Sequence, residues 1–495
     1  MNPTAARLFH RLKHLAPLAI CTALFFSGAH FQKFSLLAAD SKPTHYFDVN
    51  PYLQLGKSDN GSSVNVLWIS KDPNKNGLLC SYKPTLSKDW KQCKQIETRS
   101  INGHPELTVF ASTLTELPPG KSIDYSISKD NKVLFQSSFQ SAPSAGSPLH
   151  FLVFGDCGKG SDGQAVLASR IKESNASLAV LPGDIVYPIG TMHFYKRHFF
   201  PYFNAEGNEE KGSPLMRSKI FVGCAGNHDV AEGGYLDARD LSTTPDSMSY
   251  FVLWDQPLNG PIAQAGNNTP NVVGTKGQID DFLRAAGARY PRMANFSFNY
   301  GDAHFLVLDA NRYMDWDDPG LRRWVEDNLK QAKTPWKFVV FHQPGFNSDM
   351  AHREEQRMRK LAEIFERTGV DICFSGHSHS YQRSMPLHFS PSTVSPNDHD
   401  ARLGFVMGRF KLDKTFDGTL KTKPDGVIYI ISGSGGAPLT PGHMEEDQSL
   451  WLPFTKKFAC REYSFTSCKI NGRKLSIEQI ADDGSVLDRF VVSKD

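Results

Sequence analysis

Five short segments each end an apolar run in residues that bind metal ions: Phe154-Gly155-Asp156-Cys157-Gly158, Pro182-Gly183-Asp184-Ile185-Val186-Tyr187, Ala225-Gly226-Asn227-His228-Asp229, Val339-Val340-Phe341-His342 and Ser375-Gly376-His377-Ser378-His379. Carboxylate oxygen, amide oxygen and imidazole nitrogen together suit hard or borderline cations. A carboxylate can bridge two ions, and a neutral Asn limits excess negative charge. The glycines let the chain turn sharply and bring backbone close to a phosphate. The alternation in His377-Ser378-His379 suits an extended loop reaching two ions. Such a pair, about 4 Å apart, clamps a phosphoryl group and lowers the pKa of a shared water. A single Gly-Asp is most often a turn, and Asn227-His228-Asp229 alone reads as an Asx-turn. Five such segments in order point to a dinuclear site.

Convergence requires strands whose carboxyl ends meet. Apolar runs predict strands at Leu149–Phe154, Leu178–Leu181, Ile220–Cys224, His304–Leu308, Lys337–Phe341, Val370–Phe374 and Val427–Ile431. Helical patterns fall between them at Gly163–Glu173, Leu321–Lys330 and Arg353–Thr368, the last followed by Gly369 at the C-cap position. Ligands of such α/β sheets collect beyond the carboxyl ends of the strands. The stretch 231–290 is polar and rich in Gly and Asn and reads as an irregular insertion. The tail from Phe465 to Val492 reads as strands around an Asp482-Asp483-Gly484 turn.

Residues 40–140 have a different texture. Short alternating runs such as Val64–Ile69, Tyr125-Ser126-Ile127 and Val133-Leu134-Phe135, separated by Asp59-Asn60-Gly61 and Pro118-Pro119-Gly120, predict an antiparallel β-sandwich. No His, Asp or Cys cluster marks it as a chemical site. A small-residue linker, 141–148, separates it from the segment 149–495 that carries the chemistry.

Residues 1–39 read as a signal peptide: a basic stretch, an apolar run from Leu15 to Phe26, then small residues. The alternative is an uncleaved anchor. Cleavage predicts a secreted or periplasmic protein with no stable membrane insertion. The 495-residue chain has 55 Lys+Arg and 52 Asp+Glu, a formal charge of +3. Removing the four basic residues of the export segment leaves 51 against 52, which argues against a nucleic-acid binder. Export permits disulfides, and Cys80 with Cys93 and Cys460 with Cys468 are candidate pairs. Cys157, Cys224 and Cys373 read as buried apolar fillers.

The order GD-x-G, GD-x-x-Y, GNH-D, an apolar run into His, then GH-x-H resembles the metallophosphoesterases. Tyr187 narrows the resemblance to the purple acid phosphatases, in which a tyrosine at this place is a phenolate ligand to ferric iron. Pro51-Tyr52-Leu53-Gln54 with Val66-Leu67-Trp68 is similar to the fibronectin-like domain that precedes many family members, and Tyr381-Gln382-Arg383 to the family's Tyr-Glu-Arg. The resemblance implies a β-sandwich N-terminal domain followed by a four-layer α/β/β/α metallophosphoesterase domain. It implies a dinuclear centre of Fe(3+) and a divalent Zn, Mn or Fe ion. Asp156, Tyr187 and His379 would hold the ferric ion, Asn227, His342 and His377 the divalent ion, and Asp184 would bridge them.

The implied activity is hydrolysis of phosphate monoesters on a small phosphorylated substrate. A metal-held hydroxide would attack, and the ferric ion would keep it deprotonated below neutral pH. His228 follows the ligand Asn227 and would contact the phosphate or protonate the leaving group. His352 resembles the second of two adjacent histidines that reach substrate in the plant-type segment; Ala351 occupies the first position. Asp229 would orient His228 or close the turn. Two other readings remain: a phosphodiesterase or nucleotide hydrolase on the same scaffold, and a secreted binding protein that kept the fold without turnover.

Overall fold

The computed structural model describes residues 46–206, 211–230, 236, 240–262, 272–392 and 404–495. The predicted export segment and parts of the 231–290 insertion lie outside the described residues. Residues 44–495 form one compact unit.

Six strands carry the site: β1 (Leu149–Val153), β2 (Leu178–Leu181), β3 (Ile220–Gly223), β4 (Trp336–Phe341), β5 (Ile372–Ser375) and β6 (Ile428–Ser432). Among the described residues, β1, β2 and β3 run parallel at the centre of a ten-stranded sheet. The parallel trio β4, β5 and β6 lies in a seven-stranded sheet, with Ala303–Leu308 parallel to β4. Every residue of β2, β3 and β5 is buried, the run expected of parallel strands covered on both faces.

The alternation along β1 separates two cores. Phe151 and Val153 join one apolar cluster, Leu152 and Phe154 another. The Phe151 ring lies 5.1 Å from Phe305 and 5.3 Å from Phe338, so the two large sheets meet face to face. Leu167, Ala168 and Ile171 of the helix Asp162–Lys172 join the cluster of Leu152 and Phe154. Ser161 caps that helix by accepting the Gln164 N–H. The strand bounds expected for Leu178–Leu181 match the observed ones, and the others agree within two residues at each end.

The sandwich-like segment shares a sheet with β1, β2 and β3. Val49–Gln54 pairs parallel to β3 at Gln54 and Phe221, and Val64–Ser70, His104–Leu114 and Ile96–Ile101 extend the ten-stranded sheet outward. A separate four-stranded sheet holds Leu78–Pro84, Ser122–Lys129, Lys132–Gln140 and Lys91–Gln92. Trp68 and Phe110 of the extension stack at 5.4 Å and share a cluster with Tyr82 and Tyr125 of the smaller sheet.

Two helical expectations are corrected. Residues 353–368 do not form one helix; Arg357–Leu361 is a tight 3₁₀ turn and Ala362–Arg367 a short α-helix. The Gln356 N–H goes to the Gly404 carbonyl, and the buried Arg359 guanidinium donates to the Gly345 carbonyl at 2.6 Å, so tertiary contacts displace the regular ladder. The C-cap is as expected: Gly369 has φ +74°, and Val370 N–H returns to the Phe365 carbonyl. Within the insertion, Lys276–Ala286 is a helix with a Thr275–Gln278 capping box.

All described cysteines are free thiols. Cys80 and Cys93 continue the antiparallel register of Ser81 with Gln92, and the Cys93 N–H donates to the Cys80 carbonyl at 2.8 Å. Cys460 and Cys468 lie in different apolar clusters and do not pair.

Candidate metal centre

Each site residue follows a strand end. Asp156 comes after β1, Asp184 and Tyr187 after β2, and Asn227 to Asp229 after β3. His342 directly follows β4, and His377 and His379 follow β5. The backbone reverses within two or three residues, and this costs conformational strain. Among the described residues, three of the six non-glycine residues with positive φ are Asp156 (+55°), Asp184 (+46°) and His377 (+69°). Left-handed backbone at such residues concentrates at functional sites. Gly183, at φ +91°, is required twice over: a Cβ there would meet the His342 ring at 2.5 Å.

The turns bring all seven expected ligands together. The Tyr187 phenol oxygen lies 3.0 Å from Asp156 Oδ1, 2.9 Å from Asp184 Oδ2 and 3.1 Å from His379 Nε2. On the other side, His342 Nε2 lies 3.0 Å from Asn227 Oδ1 and 3.2 Å from Asp184 Oδ1. Asp184, His342 and His377 each offer a ligand atom within 4.8 Å of the others. Asp184 thus touches both groups, one carboxylate oxygen toward each.

Three histidines are oriented by proline carbonyls. His342 Nδ1 bonds Pro182 O at 2.8 Å, His228 Nδ1 bonds Pro188 O at 2.6 Å, and His379 Nδ1 bonds Pro438 O at 2.7 Å. A carbonyl only accepts, so each Nδ1 carries its proton and each Nε2 is directed elsewhere. For His342 and His379 that nitrogen faces the carboxylates.

The electrostatics of the cluster are those of a cation site. Burial, with Asp184 nearby, pushes the Asp156 carboxyl well above its usual range. Burial and both carboxylates raise the Tyr187 phenol likewise. Burial would raise Asp184 too, but His342 and His228 outweigh it and hold the carboxyl low. Burial opposes a charge on His342, yet Asp184 holds its pKa up at about 10. Burial lowers His377 to about 4. Two carboxylates and a phenol buried in mutual contact repel when ionised, and cations relieve that repulsion.

Both histidines expected outside the ligand set lie at the edge. His228 Nε2 is 3.9 Å from Asp184 Oδ2, with the side chain 28% exposed and its ring 4.4 Å from that of Tyr187. The His352 ring is 4.2 Å from that of His377, with its side chain 33% exposed. Asp229 does not touch His228 through its side chain. Its carboxylate accepts the N–H groups of Ile185, Val186 and Gly226, stitching the β2 turn to the β3 turn.

Sequence reading missed Glu355. Its Oε1 lies 3.1 Å from His377 Nε2, 3.2 Å from His352 Nδ1 and 3.1 Å from an Arg312 nitrogen. The only signal was its place three residues after His352, inside what read as a helix. Burial would raise this carboxyl, but the two histidines and Arg312 hold it well below the usual range. Lys159 was also missed; its ammonium lies 5.5 Å from the Tyr187 ring centroid.

Residues 149–381 match the family model of the calcineurin-like phosphoesterases. This segment is a calcineurin-like phosphoesterase domain. The phosphoesterase domain spans β1 to β5, and with it all seven clustered residues. The chain is 26% identical to purple acid phosphatase 18 of Arabidopsis thaliana over 49% of its own length and 46% of the relative's. It is 24% identical to a nucleotide pyrophosphatase/phosphodiesterase of Hordeum vulgare, over 72% of this chain and 87% of the relative. The chain spans about half the length of the first purple acid phosphatases it matches. A purple acid phosphatase from yellow lupin (Lupinus luteus) seeds superposes with a TM-score of 0.62 at 17% identity, covering 90% of this chain and 74% of that one. The likeness in fold to that structure therefore takes in strands on both sides of the matched domain.

Proposed function

We propose that this chain is a secreted dimetal acid phosphatase that hydrolyses phosphate monoesters. The observation that carries the reading is the Tyr187 hydroxyl, within 3.1 Å of Asp156, Asp184 and His379. A phenol so placed joins a carboxylate-rich, imidazole-poor half of the site, a donor set for a hard trivalent ion such as Fe(3+). Asn227, His342 and His377 make the more nitrogen-rich half, suited to Zn, Mn or Fe as the divalent ion. Asp184 would bridge. Bound together, the two ions supply Lewis acidity toward the phosphate and a lowered water pKa.

The chain's own residues do the rest. His228 Nδ1–H is committed to the Pro188 carbonyl, so a second proton on the ring would sit on Nε2, on the side of Asp184. From there it can be given to the leaving oxygen. His352 stands beside His377 and would contact the phosphate. Lys159, over the Tyr187 ring, and Arg312, paired with Glu355, add positive charge beside the cluster.

Export rests on the pattern of residues 1–39 alone. Among the described residues, no helix is long and apolar enough to cross a membrane. We also read the fold as the four-layer α/β/β/α arrangement preceded by a fibronectin-like sandwich at 40–140. The sheet shared between Val49–Gln54 and β3 supports reading that sandwich as a fixed buttress of the site rather than a tethered module.

A second reading has a specific observation behind it: the barley relative is a nucleotide pyrophosphatase/phosphodiesterase and is matched over most of both chains. Hydrolysis of p-nitrophenyl phosphate, its bis ester and a nucleotide diphosphate, from acidic to neutral pH with metal analysis on the same sample, separates the two. Monoester turnover at acidic pH with two ions bound supports the phosphatase. Preference for the bis ester or the diphosphate overturns it.

A further inference from the structure

Behind the site histidines lies a buried carboxylate outside the ligand set. Asp349 is 5% exposed. Its Oδ2 accepts from Ser378 Oγ at 2.9 Å and from Thr440 Oγ1 at 2.8 Å. Its Oδ1 accepts the Ala351 N–H at 3.1 Å, and its backbone carbonyl accepts the His352 N–H at 3.1 Å. Ser378 is the residue between His377 and His379. The Thr440 N–H donates to the His379 carbonyl at 3.0 Å, and Pro438, two residues earlier, holds the His379 ring. Three segments that face the site therefore meet on one side chain: the His377–His379 loop, the loop behind His379, and the turn carrying His352 and Glu355.

Gln382 closes the network. Its Nε2 lies 3.1 Å from Ser378 Oγ, 3.1 Å from Ser380 Oγ and 2.7 Å from Asn347 Oδ1, and Asn347 Oδ1 also accepts the Asp349 N–H. A glutamate at 382 could not donate to these oxygens and would add a second buried acid near Asp349. The neutral amide and Asp349 fit each other. Both Asp349 oxygens are satisfied, which lets the buried network fix geometry, although Asn347 Nδ2 finds no partner among the described residues.

We propose that Asp349 is a positioning residue that sets the His377 and His379 imidazoles against the His352–Glu355 turn. The proposal rests on the metal-centre reading above. Partners lying just outside a ligand shell, when lost, typically lower metal affinity or activity tenfold to a hundredfold.

The test uses the full chain with Asp349→Asn, Ser378→Ala and Thr440→Val. Asp349→Asn keeps the shape but leaves one acceptor oxygen where two now accept. Zinc titration of metal-stripped protein against a competing chelator is read first. Binding about tenfold to a hundredfold weaker in Asp349→Asn is expected. The second readout is the kcat loss caused by His352→Ala, measured in the native and the Asp349→Asn backgrounds. A shared positioning role makes the two losses overlap, so His352→Ala costs distinctly less when Asp349 is already changed. Unchanged zinc affinity together with multiplicative kcat losses would overturn the proposal. If Asp349→Asn does not fold, the Ser378→Ala/Thr440→Val double variant removes the same two contacts and is judged by the same readouts. If native protein binds two ions but cleaves no monoester, the phosphatase reading fails, and the zinc titration still decides the role of Asp349.

Discussion

Glu355 Oε1 lies 3.1 Å from His377 Nε2, and the same oxygen lies 3.2 Å from His352 Nδ1. One carboxylate thus orients an imidazole proposed to bind metal and another proposed to meet phosphate. Glu355→Gln keeps the size and removes the charge. Metal affinity or turnover should fall about tenfold to a hundredfold, with divalent occupancy lost before ferric. Metal analysis and kinetics on one preparation check this; undiminished occupancy and kcat would show that Glu355 only closes a turn.

Tyr187→Phe deletes one oxygen and leaves the ring against His228. Iron-loaded native protein should absorb visible light through the Tyr187–iron bond, and the variant should not. A band that survives the substitution would remove Tyr187 from the ligand set, whatever happens to activity.

His228→Ala should lower kcat by about 10²- to 10⁴-fold, the usual contribution of a positioned acid. Both ions should remain, because His228 Nε2 is 3.9 Å from Asp184 and bonds its Nδ1 to a backbone carbonyl. Parallel loss of metal and turnover would make it a structural residue instead.

Acid sensitivity should have a source far from the metals. His150 Nε2 bonds Ser467 Oγ at 2.9 Å on β1, and burial pushes its pKa down from 6.5 to about 4. The unfolded chain therefore binds the extra proton over that interval, and stability falls as pH drops from 6.5 toward 4, by on the order of 3 kcal/mol. His150→Gln cannot take up that proton, so its urea-unfolding stability should change less between pH 7 and pH 4. Identical pH slopes for the two proteins would refute the assignment.

Much of the site was legible because its chemistry is written at strand ends. A run such as Leu178–Leu181, short and bounded by turn residues, reads as a buried strand, and the Gly-Asp after it as a turn. The resulting positions of Asp156, Asp184, Tyr187, Asn227, His342, His377 and His379 in one cluster follow from that rule applied five times. Glu355 was not legible. Its segment has helical periodicity, but tertiary contacts such as Gln356 with Gly404 and Arg359 with Gly345 replace the regular helix, and the carboxylate meets His377. The helix at Lys276–Ala286 was hidden for the opposite reason: its capping box was readable, but its apolar face stood inside a polar stretch.

The amino-acid sequence alone determined which atoms are available for chemistry, because ligand type and strand-end spacing are local properties. It also determined the reversals that carry them, since apolar runs and glycines act over a few residues. Only the tertiary structure decided how those atoms are aimed. The Nδ1 protons of His228, His342 and His379 are set by Pro188, Pro182 and Pro438. In His342 the partner is 160 residues away in the chain. Likewise, Asp229 holds the turn after β2, and Asp349 joins three loops that are distant in sequence. Hydrogen bonds act over about 3 Å of space whatever the separation along the chain, so their pattern exists only once the sheets have packed.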